Sequence, residues 1–121
     1  MRTLGIDYGE ARVGIAITDA LGITAQGLET ITHNGNDKIL LRRLDEILEK
    51  YPEVDTIVVG MPYNMDGTKT FRAEITEKFI HKLKCKYNKK TNTVRMYGKI
   101  QNLSGDWDSA YNGVSYRLHL K

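Results

Sequence analysis

One carboxylate stands out by position. In "MRTLGIDYGEARVGIAITD" Asp7 closes a short apolar run and is followed at once by Tyr8 and Gly9, so it falls where a strand gives way to a glycine turn. A carboxylate fixed there can offer oxygen to a hard divalent cation such as Mg²⁺, which keeps several waters and needs few protein ligands. Two-ion cleavage of a phosphodiester needs several carboxylates from different elements, with ions roughly 3.5 to 4 Å apart. The alternative is structural: an aspartate in this position also accepts hydrogen bonds from its own turn. The residues alone leave both open. Arg12 could pair with Glu10 or Asp19, and Asn64 could close its loop. Asp19 reads as a turn carboxylate rather than a ligand.

These side chains must be carried by an α/β framework. "TLGID" and "RVGIAITD" are β-branched runs joined by the polar "YGEA", a hairpin pattern, and "ITAQGLETI" supplies a third strand. "HNGND" carries turn and cap chemistry. Asp37 to Lys50 places Leu40, Leu44, Ile47, Leu48 and Tyr51 on one face, the spacing of an amphipathic helix. "DTIVVG" is a continuous apolar run, as expected of a parallel strand buried on both faces. "MPYNMDGTKT" reads as a loop. A second helix over Phe71 to Lys86 presents Ile75, Phe79, Ile80 and Leu83, and "TNTVRMY" is a fifth strand. From Gly98 onward neither periodicity persists.

The chain has 121 residues, a net charge of +3 and a pI of about 9.0. That length suits a single domain, and no apolar run reaches the ~18 residues of a membrane helix. A single cysteine, Cys85, forms no internal disulfide, and no secretory pattern follows Met1, so a cytoplasmic protein without membrane association is expected. Basic charge concentrates in "HKLKCKYNKK", where Lys84, Lys86, Lys89 and Lys90 could follow a phosphate backbone or form a solvated helix end.

Two blocks closely resemble one family. "LGIDYGEARVGIAITD" carries Gly5, Asp7, Gly9, Arg12, Gly14, Ala16 and Asp19; "IVVGMPYNMDGT" with "FRAE" carries Gly60, Pro62, Asn64, Gly67, Thr68, Arg72 and Ala73. Both are similar to the YqgF-type family, ribonuclease H-like proteins described as Holliday junction resolvases or pre-16S rRNA nucleases. The resemblance covers Met1 to about Tyr97. It implies a mixed sheet of three antiparallel strands continuing into parallel ones, with flanking helices. It also implies Asp7 as a catalytic metal ligand for Mg²⁺ or Mn²⁺, Arg12 and Asn64 as nucleic-acid contacts, and structured RNA ahead of a DNA junction as substrate. A monomer or weak dimer is expected.

The family pattern then breaks. Relatives continue with Asp-Glu-Arg-Leu-Thr-Thr and end on an aspartate in a C-terminal helix, whereas this chain reads Gly98-Lys99-Ile100. Asp106 and Asp108 stand in a segment without helical pattern and are not assigned that role. The expectation is a family-like core over 1–97 and a divergent tail over 98–121, with the last helix absent or altered, as a shifted reading frame would produce. A nuclease lacking its second and third carboxylates would bind nucleic acid without cutting it.

Overall fold

The structure, a computed structural model, describes residues 2–21, 24–64, 66–87 and 89–97. The expectations placed on residues from Gly98 onward, Asp106 and Asp108 among them, lie outside the described residues.

The elements run β1 (Arg2–Tyr8), β2 (Arg12–Thr18), β3 (Ala25–Thr32), α1 (Asp37–Lys50), β4 (Val54–Tyr63), α2 (Phe71–Lys86) and β5 (Lys90–Tyr97). They form one sheet in the order β3-β2-β1-β4-β5. β1, β2 and β3 pair antiparallel, while β4 runs parallel to both β1 and β5. This is the mixed α/β sheet that the resemblance implies.

Alternation along the strands sorts side chains between two faces. Leu4 and Ile6 of β1, Val13, Ile15 and Ile17 of β2, Ile31 of β3, and Ile57, Val59 and Met61 of β4 share one buried cluster with both helices. α1 contributes Leu40, Leu44, Ile47 and Leu48, as its spacing predicts. α2 is turned slightly from expectation: it buries Ala73, Thr76, Phe79, Ile80 and Leu83, whereas Ile75 is only half-buried. Small residues at Ala73 and Thr76 let the first turns of α2 sit close to the sheet. Each large apolar side chain taken from water contributes about 1.5 to 3 kcal/mol, so this cluster is a major source of stability. Val58, between Ile57 and Val59, is buried on the opposite face, which bears out the double burial expected of this apolar run.

β4 is longer than its apolar run. Met61, Pro62 and Tyr63, expected in a loop, continue the strand and pair with β5. The β1 pairing ends at Ile6 and Val59, so Pro62 lies beyond it, and the Pro62 carbonyl accepts from Thr70 Oγ1 at 2.8 Å. A strand edge with no further partner tolerates the missing N–H.

Both helices start on side-chain caps. Asn36 accepts from the Lys38 N–H at 3.0 Å, and Thr70 from the Ala73 N–H at 3.0 Å. Ahead of Asn36, Asn34 and Gly35 take positive φ angles of 48° and 81° and reverse the chain from β3 into α1.

Candidate nucleic-acid interface and the Asp7 site

Asp7 occupies the C-terminal end of β1, and because Leu4 and Ile6 face the helices, Asp7 points with Gly5 to the other face. Its antiparallel partner on β2 is Gly14. On β4, Gly60 follows Val59, the last residue paired with β1. Side-chain-free positions therefore stand on both flanks of the carboxylate, as where another backbone approaches closely.

The Asp7 carboxyl is pushed above its ordinary range by burial, partly offset by the nearby Arg72 charge, and among the described residues no hydrogen bond supports its charged form. The turn beside it is satisfied otherwise. The Gly9 N–H donates to the Arg12 carbonyl at 3.0 Å, and a Cβ on Gly9 would lie 2.3 Å from that oxygen, so only glycine fits. His33 Nε2 lies 2.9 Å from the Gly9 carbonyl, which requires the proton on Nε2, and the His33 and Asn34 N–H groups both donate to the Ala11 carbonyl at 2.9 and 3.1 Å. The turn-acceptor alternative for Asp7 is thus not used.

On the helix side, the neighbouring Tyr8 anchors the strand end. Its ring stacks on Phe79 at 4.2 Å between centroids and lies 5.6 Å from the His33 ring. Its hydroxyl donates to Asp37 Oδ1 at 2.7 Å, and Asp37 Oδ2 accepts from Lys82 Nζ at 2.9 Å. Arg72, in the first turn of α2, donates from Nη2 to the Tyr8 carbonyl at 2.9 Å and covers the Tyr8 ring at 5.3 Å. Arg72, His33 and Asp37 were given no site role from sequence. Arg72 had one available signal: it opens the helix that follows a parallel strand, and ligand sites in such sheets gather at the strands' carboxyl ends.

Of the residues singled out by sequence, Asp7 and Arg12 come together. Arg12 is exposed at the start of β2, on the same face as Gly14 and Asp7, and among the described residues it makes no ion pair with Glu10, Asp19 or any other carboxylate. Asp19 instead accepts from the Thr24 hydroxyl at 2.8 Å and closes the β2–β3 turn. Asn64 donates from its amide to Thr68 Oγ1 at 2.9 Å, while Gly67, at φ 87°, turns the loop back. It serves there as a loop-closing residue.

The basic run lies elsewhere. Lys89 Nζ donates to the carbonyl of Val54, the first residue of β4, at 2.6 Å, and Lys86 pairs with Asp45 of α1 at 3.4 Å. Lys84 and Lys90 are exposed nearby in the chain. Val54 pairs with Arg2, so the run sits by the far end of β1, roughly 17 Å from Asp7 at the rise of an extended strand.

Among the described residues, no group of three or more His, Cys, Asp or Glu side chains could hold a metal ion. The donors among the described residues do not fit a two-ion centre. Asp7 alone could supply one carboxylate to a hydrated cation.

A family described as "RuvX: Holliday junction resolvase" matches residues 1–97. The chain belongs to the RuvX family. Two members named "Putative pre-16S rRNA nuclease" show how close the relationship is. The one from Acetivibrio thermocellus is 55% identical over 80 residues, 66% of this chain and 56% of the relative. That from Ruminiclostridium cellulolyticum is 53% identical over 83 residues, 69% and 58% of the two chains. The matched stretch thus spans under two thirds of these relatives. Among solved structures, one titled "T. thermophilus RuvC in complex with Holliday junction substrate" superposes with a TM-score of 0.52 at 15% identity, covering 96% of this chain and 79% of that one. The fowlpox virus Holliday junction resolvase superposes at 0.50 with 19% identity, covering 99% and 96%. At such identities the likeness shows the resolvase-like fold, and RuvX membership rests on the sequence match. Family resemblance of this kind points to divalent-metal chemistry.

Proposed function

We propose that this chain acts in the cytoplasm on the 5′ end of pre-16S rRNA during ribosome assembly, as a monomer or weak dimer. In this reading Asp7 is a catalytic carboxylate and a ligand for Mg²⁺ or Mn²⁺, and the ion, when bound, stabilises charge on a phosphate oxygen. One observation carries the reading: the Asp7 carboxylate stands at the carboxyl end of a central strand, between glycines, without a hydrogen bond from its own turn. Arg12 contacts the nucleic acid beside it. Asn64 shapes the neighbouring loop, and Lys84, Lys86, Lys89 and Lys90 reach only flanking RNA at the far end of the sheet. The names of the relatives favour RNA over a DNA junction.

A second reading, binding without cleavage, is favoured because no group of three or more His, Cys, Asp or Glu side chains among the described residues could hold a metal ion. The experiment incubates the purified chain with Mg²⁺ and an end-labelled transcript spanning the 16S 5′ leader, beside a Holliday junction, with Asp7→Asn as control. Cleavage of the transcript lost in Asp7→Asn supports the rRNA nuclease. Junction cleavage alone supports a DNA resolvase. Binding of the transcript by both proteins with no product supports the second reading.

A further inference from the structure

Beside Asp7, the sheet face turned away from α1 and α2 continues as a polar row toward the β3 edge. The register places Gly14 opposite both Asp7 on β1 and Thr30 on β3, and places Arg12 opposite Thr32. Val13 and Ile31, between these residues, are buried toward the helices, so alternation turns Arg12, Gly14, Thr30 and Thr32 to the other face. Arg12, Thr30 and Thr32 are all exposed. Among the described residues, neither the Arg12 guanidinium nor the two threonine hydroxyls have a hydrogen-bond or ion-pair partner. The acidic residue of β3, Glu29, is held away on the helix side by Arg43 at 2.6 Å.

We infer that this row is a docking track for a single RNA strand leaving the Asp7 site, with Arg12 on a phosphate and Thr30 and Thr32 on the sugar–phosphate backbone. The inference deepens the nuclease reading and rests on its placing of substrate at Asp7. Charge supports it: a guanidinium with no carboxylate partner among the described residues suits a phosphate, which it can bind through two parallel hydrogen bonds. Geometry supports it as well. Strands about 4.8 Å apart put Thr30 roughly 10 Å from Asp7, and Gly14 between them has no side chain to lift a strand off the sheet. Hydroxyls that both donate and accept match the 2′-hydroxyl, which distinguishes RNA from DNA. Within the basic run, by contrast, Lys86 and Lys89 already have protein partners.

The test is fluorescence anisotropy of a short labelled single-stranded RNA, and of the DNA of the same sequence, over a salt titration in EDTA. Without divalent metal the readout is independent of cleavage. Thus a chain that never cuts still tests the track, and one that cuts with Arg12→Gln binding unchanged refutes the track alone. Arg12→Gln is expected to weaken RNA binding about tenfold and to lower the log–log salt slope by about one. The double variant Thr30→Val/Thr32→Val is expected to weaken RNA binding about threefold at unchanged slope and to remove the preference over DNA. Both are exposed substitutions, and thermal melting matching the parent shows that the fold is intact. Three results would each overturn the inference: equal binding of RNA and DNA by the parent, no effect of Arg12→Gln on the slope, or a larger loss from Lys84→Gln/Lys90→Gln than from Arg12→Gln.

Discussion

Arg72 and Tyr8 are 64 positions apart in the chain, yet the Arg72 guanidinium donates to the Tyr8 carbonyl at 2.9 Å and lies over the Tyr8 ring. This contact ties the start of α2 to the end of β1, one residue from Asp7. A charged donor on a partly buried carbonyl contributes about 1.5 to 3 kcal/mol. Arg72→Met, which keeps the aliphatic stem, should lower unfolding free energy by about 2 kcal/mol in urea denaturation. An unchanged midpoint would show that the contact is not made in solution.

Gly9→Ala tests the turn directly. The new methyl would stand 2.3 Å from the Arg12 carbonyl, a backbone atom that cannot move without breaking the hairpin bond. A loss of about 1 to 3 kcal/mol is expected from chemical denaturation. Parent-like stability would mean that the turn adopts another conformation.

Asp37 should make stability fall in acid. Burial alone would raise its pKa, but the hydrogen bonds from Tyr8 and Lys82 and the Lys82 charge outweigh it and hold the carboxyl below its usual 3.8. A carboxyl depressed on folding stabilises the fold above its unfolded value, and that contribution disappears as pH falls through the folded value. Asp37→Asn should therefore be less stable than the parent by about 1 to 2 kcal/mol at neutral pH. Melting curves of the two proteins should converge below pH 3.8. A gap independent of pH would assign the loss to packing.

Tyr87 gives the alkaline counterpart. Burial, then its 2.6 Å hydrogen bond to Asp45, raises the phenol well above its ordinary 10.0. A group whose proton is held more tightly in the folded state contributes fully below its unfolded value and loses that contribution as pH rises beyond it. The advantage of the parent over Tyr87→Phe should hold at neutral pH and shrink above about pH 10. Denaturation midpoints across that range provide the check, and a constant difference would count against the bond.

The elements were legible because their signals are local. Asp37 to Lys50 was bounded as a helix by its cap and by apolar spacing alone, and the double burial of Val58 followed from an uninterrupted apolar run. The extension of β4 through Pro62 was not legible, since a proline is excluded from a paired strand and tolerated on an open edge, and which of these holds depends on where β1 stops. The site divides in the same way. Asp7 was visible as a carboxylate at a strand-to-turn boundary. Its freedom from the turn was decided only in three dimensions, where the Arg12 carbonyl takes the Gly9 N–H and, among the described residues, no hydrogen bond reaches the Asp7 carboxylate. Lys89 and Arg12 both read as candidate phosphate contacts because both carry charge. Tertiary packing spent Lys89 on the Val54 carbonyl at one end of the sheet and left Arg12 exposed beside Asp7 at the other. Charge is a property of the residue, whereas an unpaired charge is a property of its neighbours, and only the fold brings those neighbours together.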